Sequence, residues 1–300
     1  MLAGLSGGSD SVALTFLLRE LGAHLDFELV GLAHVNHGLR DTAGRDEDFC
    51  HDLAARLALP FITRRADVKR LAAVAGLSVE DAARRFRYDC LEQAAAELGA
   101  SRIAVGHTRD DQAETFVLKL VRGAGLTGLG AIYPLREPII RPLLEVGRTE
   151  LRDYLAGRDE PWVEDETNAD LSNPRNRVRL EVLPYLEVAL GLPARRAIAR
   201  AAGLAGEDAR WLDELAGQRL AGLCVETAAG LELDADELRS TPRPLARRIL
   251  LAALRIRANS REVSLEHVQA ALDVLTGLAG GADVPGSRVE LRGKKLVLLQ

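Results

Sequence analysis

Between a short apolar run and an apolar helix the chain carries Ser6-Gly7-Gly8-Ser9-Asp10-Ser11. Leu2-Ala3-Gly4-Leu5 reads as a buried strand, and Val12, Ala13, Leu14, Phe16, Leu17, Leu18 and Leu21 recur at helical spacing. A strand-turn-helix joint of this kind turns unpaired backbone N–H groups outward at the helix start, where the helix dipole favours an anion. Gly7 and Gly8 permit close backbone approach, and the serine hydroxyls add donors. The loop lacks lysine, so it differs from the phosphate loop whose lysine reaches β- and γ-phosphates. A plain glycine-rich turn capped by Ser9 or Asp10 is the simpler alternative. The strand before the loop and the helix after it favour the anion site.

Strands and helices alternate after this joint. Leu29–Val35 reads as a second strand, about 46–57 as an amphipathic helix, and Phe61-Ile62-Thr63 as a third strand. Val79–Leu98 reads as a helix, Ile103-Ala104-Val105 as a strand, and a further helix starts near Asp110. This rhythm predicts an α/β fold, a doubly wound, mostly parallel sheet whose ligands sit at the carboxyl ends of the strands. After Pro142, helices at about 148–155 and 179–190 flank a polar loop. From Gly191 the pattern reads as mainly helical, and Val284 to Leu299 as a hairpin turning at Arg292-Gly293-Lys294. A chain of 300 residues accommodates one sizeable core and a smaller appended domain. We therefore expect domains at 1–190 and 191–300.

Composition excludes several classes. A net charge of −5 gives no global signature of nucleic-acid binding. The Met1 end shows neither a basic n-region nor a long apolar run, and no stretch is long enough to span a bilayer. Cys50, Cys90 and Cys224 are far apart and form no CxxC, which suits plain thiols in a reducing cytoplasm.

Two further loops fall at strand ends. His34-Val35-Asn36-His37-Gly38-Leu39-Arg40 carries two histidines, but zinc needs four ligands and the cysteines are not spaced to supply them. Beside a nucleotide these histidines would hydrogen-bond phosphate or ribose, with His34 equally readable as a buried structural residue. Gly106-His107-Thr108-Arg109-Asp110-Asp111-Gln112-Ala113-Glu114-Thr115 leads to Arg122-Gly123-Ala124-Gly125. Thr108 or Asp110 can cap the helix. Asp111 and Glu114, three apart, share a helix face near the strand end. First-turn acids often merely complement the helix dipole. Here they follow a strand whose mouth is the expected ligand site, so they can hold an ammonium nucleophile or take its proton.

Taken in order, these loops resemble the tRNA(Ile)-lysidine synthases, a family of pyrophosphate-loop enzymes of the adenine nucleotide hydrolase-like fold. Further matches are Glu80-x-x-Ala83-Arg84-x-x-Arg87-Tyr88, Gly128-Leu129 and Arg141-Pro142-Leu143-Leu144. Others are Pro161-Trp162-Val163-Glu164-Asp165 with Asn168, and Arg175-Asn176-Arg177 with Arg179. The resemblance covers most of residues 4–186. It implies that ATP adenylates the wobble cytidine of a CAU-anticodon isoleucine tRNA, releasing pyrophosphate with Mg²⁺. The ε-amine of free lysine then displaces AMP to give lysidine. It also implies that Ser6, Gly7, Gly8, Ser9 and Ser11 cradle the pyrophosphate, with Asp10 beside the phosphates through Mg²⁺. His34, His37, Gly106 and His107 would complete the ATP site, and Asp111 and Glu114 would hold the lysine ammonium. Asn173-Pro174 departs from the aromatic-Ser pair usual in the family, and only five residues precede Ser6. The chain ends at Gln300 just after the hairpin, so no further tRNA-binding domain is expected.

RNA requires phosphate contacts. Arg84, Arg87, Arg175, Arg177 and Arg179 are expected to supply them beside the catalytic half. The run from Arg239 to Arg261 contains no acidic residue and brings Arg247, Arg248 and Arg255 onto one helix face. A solvated surface written in arginine is the alternative for this run. Rival readings are a tRNA thiolase, which needs a catalytic cysteine pair, a glutamine-dependent amidotransferase, and a nucleotide-regulated RNA-binding protein without catalysis.

Overall fold

A computed structural model describes residues 1–38 and 43–299. Leu39 and Arg40 of the second loop lie outside them. The chain divides into two compact units, Met1–Gly206 and Glu207–Gln300.

The first unit opens with β1 (Leu2–Gly4), α1 (Ser9–Gly22), β2 (Gly31–Asn36), α2 (Ala43–Arg56) and β3 (Phe61–Arg65). It continues with α3 (Val68–Ala75), α4 (Val79–Glu97), β4 (Ile103–Ala104), α5 (Arg109–Val121), α6 (Leu126–Leu129), β5 (Leu135–Arg136), β6 (Ile139–Ile140) and α7 (Arg148–Ala156). The six strands form one sheet in the order β3-β2-β1-β4-β6-β5. All its neighbours pair in parallel except β5 and β6, which run antiparallel. Strand order reverses between β1 and β4, so their carboxyl ends flank the crevice where ligands bind such sheets.

Alternation along the strands builds the two sides of this sheet. Leu2, Ala33, Ile103 and Val105 pack with Leu91 and Ala94 of α4. Their neighbours Ala3, Leu5, Leu32 and Ala104 pack instead with Leu14 of α1, Leu53 of α2 and Leu151 of α7. A strand buried on both faces reads as a continuous apolar run, which is why β1 needs no polar partner residues.

The helix expected from Arg179 begins earlier. Asn173 caps α8 (Pro174–Arg177) by accepting from the Arg175 N–H at 2.9 Å, with Pro174 in the first turn. The Asn-Pro departure from the family pattern is thus a well-formed helix start. A π turn over Val178–Val182 joins α8 to α9 (Leu183–Leu190).

Helix α10 (Ala194–Leu223) carries the division between the units. The second unit contains β7 (Cys224–Thr227), β8 (Gly230–Asp234), α11 (Ala235–Ser240), α12 (Arg243–Arg257), α13 (Leu265–Leu275), β9 (Ala282–Val284), β10 (Ser287–Arg292) and β11 (Lys295–Leu299). The expected hairpin is β10–β11, turning at Gly293 with φ +60°. It belongs to a five-stranded sheet of order β7-β8-β11-β10-β9, whose members β7 and β8 the helical reading of this segment did not foresee. Leu233 and Leu298 of this sheet close on Ile249 and Leu254 of α12 and Val274 of α13.

Candidate functional site

At the carboxyl ends of β1, β2 and β4 lies a cavity of about 910 Å³. Its floor is the Ser6–Ser11 loop. Gly7 has φ +88°, a backbone conformation suited to glycine, and its carbonyl accepts from the Val163 N–H at 2.9 Å. Ser11 ties the loop shut: its hydroxyl accepts from the Ser6 N–H at 3.1 Å and donates to the Gly8 carbonyl at 3.0 Å. Gly8 is the N-cap of α1, and no side chain caps it. Gly8, Ser9 and Asp10 line the cavity, so the uncapped first turn opens onto it. Gly106, leaving β4, approaches this turn so closely that a Cβ there would lie 3.1 Å from the Asp10 backbone.

The facing wall begins with a capping box. The Thr108 hydroxyl and N–H both donate to Asp111 Oδ2, at 2.9 and 2.8 Å. This fixes the Asp111 carboxylate at the mouth of β4, with its other oxygen toward three arginines. Arg175 meets Asp111 at 3.0 Å and Glu114 at 2.7 Å. Arg179 meets Glu114 at 2.6 Å and Asp111 at 3.8 Å. Arg148, the first residue of α7, donates to Asp10 at 3.0 Å and to Asp111 at 3.2 Å, with Glu114 at 3.6 Å.

Arg175 and Arg179, four residues apart, share one helix face and so converge on the acids, and the Arg179 carbonyl accepts from the Arg195 guanidinium at 3.3 Å. Arg179 also donates to Asn168 at 3.0 Å, and the Asn176 amide donates to the Thr167 and Asp170 carbonyls at 2.8 and 2.9 Å. The segment from Val163 to Asp170 is therefore anchored at Gly7 and at the arginines.

These contacts set the ionisation states. Burial raises the Asp10 carboxyl pKa and nearby Asp111 adds to this, while Arg148 opposes both. Burial would also raise Asp111, but Arg148, Arg175 and the Thr108 N–H outweigh it and hold the group below the usual carboxylate range. Burial pushes His107 down to about 4, so its imidazole is neutral near pH 7. Its Nδ1 is buried without a hydrogen-bond partner among the described residues, beside the cavity that His107 lines.

The cavity brings together Ser6, Gly8, Ser9, Asp10, Ser11, His34, His37, Arg87, Gly106, His107, Asp111, Arg175 and Arg179. Gly7 supports the floor from behind. His34 is committed to the fold: it is buried, with Nδ1 2.9 Å from the Leu5 carbonyl. His37 Nε2 sits 3.2 Å from the Arg87 guanidinium.

Glu114 lies deeper than Asp111: its side chain is 0 % exposed, enclosed beneath the arginines. Arg84 lies over the Tyr88 ring at 5.8 Å, and Arg177 is exposed with its guanidinium on the Leu171 carbonyl, so neither lines the cavity. Arg247, Arg248 and Arg255 belong to the second unit. Arg248 is held there by Asp213 and the Ala209 carbonyl, whereas Arg247 and Arg255 are exposed.

Arg148 is the functional candidate that the sequence reading passed over. It entered that reading only as the start of a helix. Its approach to Asp10, 138 positions away, leaves no local sequence signal.

A parallel sheet with an amide-lined loop at its switch point, facing buried acids, defines a nucleotide-binding α/β protein. The chain belongs to the family of the PP-loop domain, whose model matches residues 1–186. It is 40 % identical over 275 residues to tRNA(Ile)-lysidine synthase of Geobacter sulfurreducens, a match covering 90 % of this chain and 58 % of that protein. It is 43 % identical over 222 residues to the enzyme of the same name from Thermus thermophilus, covering 73 % of this chain and 42 % of that protein. The chain thus spans roughly half the length of these relatives. Among solved structures, the U34-tRNA thiolase NcsA of Methanococcus maripaludis shares the fold with a TM-score of 0.57 at 19 % identity, covering 69 % of this chain and 71 % of that one.

Proposed function

We propose that this chain is a tRNA(Ile)-lysidine synthase. It adenylates the wobble cytidine of a CAU-anticodon isoleucine tRNA with ATP, then replaces AMP by the ε-amine of free lysine. The observation that carries this reading is one cavity holding both the glycine-backed loop and an acid–arginine cluster, in a chain similar to relatives of that name. In the first step the amides of Gly8, Ser9 and Asp10 and the hydroxyls of Ser6 and Ser9 receive the departing pyrophosphate, on a loop whose shape the Ser11 hydroxyl holds. Donors fixed where negative charge grows need no reorganisation during reaction.

Asp10 suits a magnesium ion. Among the described residues no cluster of three or more His, Cys, Asp or Glu converges, as a protein-built metal cage would require. Magnesium instead takes one or two carboxylates, with phosphate oxygens and water supplying the rest. When bound it would neutralise charge on the triphosphate.

In the second step the amine must be neutral. With an ordinary pKa near 10.4, roughly one lysine amine in a few thousand is unprotonated at pH 7. Asp111, ionised and at the cavity surface, holds the ammonium and orients it toward the adenylated base, and the amine attacks once its proton has passed to solvent water. Glu114 acts from beneath by holding Arg175 and Arg179. Arg84, Arg87 and Arg177, with Arg247 and Arg255 in the second unit, are offered to the RNA backbone. The thiolase reading is disfavoured by the thiols: Cys50 is buried and its pKa is pushed up to about 12, and burial also raises that of Cys90. Among the described residues no helix is long and apolar enough to cross a membrane, and the free cysteines suit a reducing cytoplasm.

Incubation with ATP, radiolabelled lysine and transcripts of the isoleucine and methionine CAU tRNAs tests this reading. Label should enter the isoleucine transcript alone, and equal labelling or none would refute it.

A further inference from the structure

The charged cluster is balanced before any ligand arrives: Asp10, Asp111 and Glu114 face Arg148, Arg175 and Arg179. Arg148 reaches all three acids. Its backbone N–H is separately anchored, donating to Asp110 Oδ2 at 2.9 Å. The side chain is only 18 % exposed, and the residue lines the cavity between the pyrophosphate loop and the acid pair. A guanidinium keeps its charge at any working pH, so this site cannot adjust by losing a proton.

An ammonium entering this cluster would be a fourth cation against three acids in a poorly hydrated place. It can enter only if a cation withdraws or an anion arrives. A triphosphate on the neighbouring loop does both, because its oxygens offer Arg148 a bidentate partner better than a shared carboxylate edge.

We propose that Arg148 is a positioning residue that makes binding of the amine substrate depend on the nucleotide. Without ATP it occupies Asp111 beside Arg175; with ATP it turns to the phosphates and leaves its own place on that carboxylate to the amine. This rests on the lysidine synthase reading and adds to it an order of binding. Coupling between two ligands is reciprocal, so lysine tightens the nucleotide by the same factor.

The test is calorimetric titration of the full chain with lysine, with and without saturating magnesium α,β-methylene-ATP. Wild-type protein should bind lysine at least ~10-fold more tightly with the analogue, within the usual range of such couplings. Arg148→Gln should bind lysine more tightly than wild type when nucleotide is absent, and should show less than ~2-fold coupling. Loss of structure cannot produce that gain, and the Asp110 contact of the backbone survives the substitution. Arg148→Lys, which keeps the charge, should retain part of the coupling. Coupling in Arg148→Gln equal to wild type would overturn the role of Arg148, as would nucleotide-independent lysine binding by wild-type protein. A wild-type protein that binds the analogue but never lysine would instead overturn the lysine reading itself.

Discussion

Asp111 and Glu114 share a helix face but occupy different environments, and the difference separates the roles proposed for them. Asp111 takes two hydrogen bonds from Thr108 and keeps an edge on the cavity. Glu114 is fully enclosed and receives Arg175 and Arg179 at 2.7 and 2.6 Å. Removing one member of a buried ion pair leaves uncompensated charge and typically costs about 3–5 kcal/mol. Glu114→Gln should therefore lower the urea midpoint more than Asp111→Asn does. Asp111→Asn should keep ATP-analogue affinity while losing lysine transfer. Equal and small stability losses in both variants would show that Glu114 does not hold the arginines. Three-residue spacing reveals a common face, but only the packed structure reveals which acid lies beneath. Arg148 was hidden for a related reason, since a helix-start arginine reads as a solvent residue until α7 is packed against α1.

At the scale of elements, the alternation of apolar runs and amphipathic segments made the parallel sheet legible, and with it the strand ends that carry the motif loops. The π turn at Val178–Val182 was not legible, because an inserted residue leaves the helical pattern nearly unchanged. Strands β7 and β8 escaped for another reason. Cys224–Thr227 is short and half exposed, and Gly230–Asp234 takes its place in the sheet by pairing with distant β11 as well as with β7. Helix α8 is a further case where local chemistry and site are linked: the Asn173 cap orients the turn that carries Arg175. Such a cap contributes about 1 kcal/mol, or roughly 2–4 °C of melting temperature in a protein of this size. Asn173→Ala should melt lower by that amount and lose lysine affinity more than ATP affinity. An unchanged melting temperature would show that Pro174 alone starts the helix.

For the molecule as a whole, the two faces of the cavity belong to one unit and one sheet. The loop of β1 and the mouth of β4 are brought together by strand order, and Val163–Asp170 bridges the loop to the arginines. The proposed function has the nucleobase adenylated first and the amine entering second. Exchange of labelled pyrophosphate into ATP tests that order most directly. The account predicts exchange with the CAU-anticodon isoleucine tRNA in the absence of lysine, and none with lysine alone. Exchange that needs lysine but no tRNA would place the adenylate on the amino acid and contradict the account.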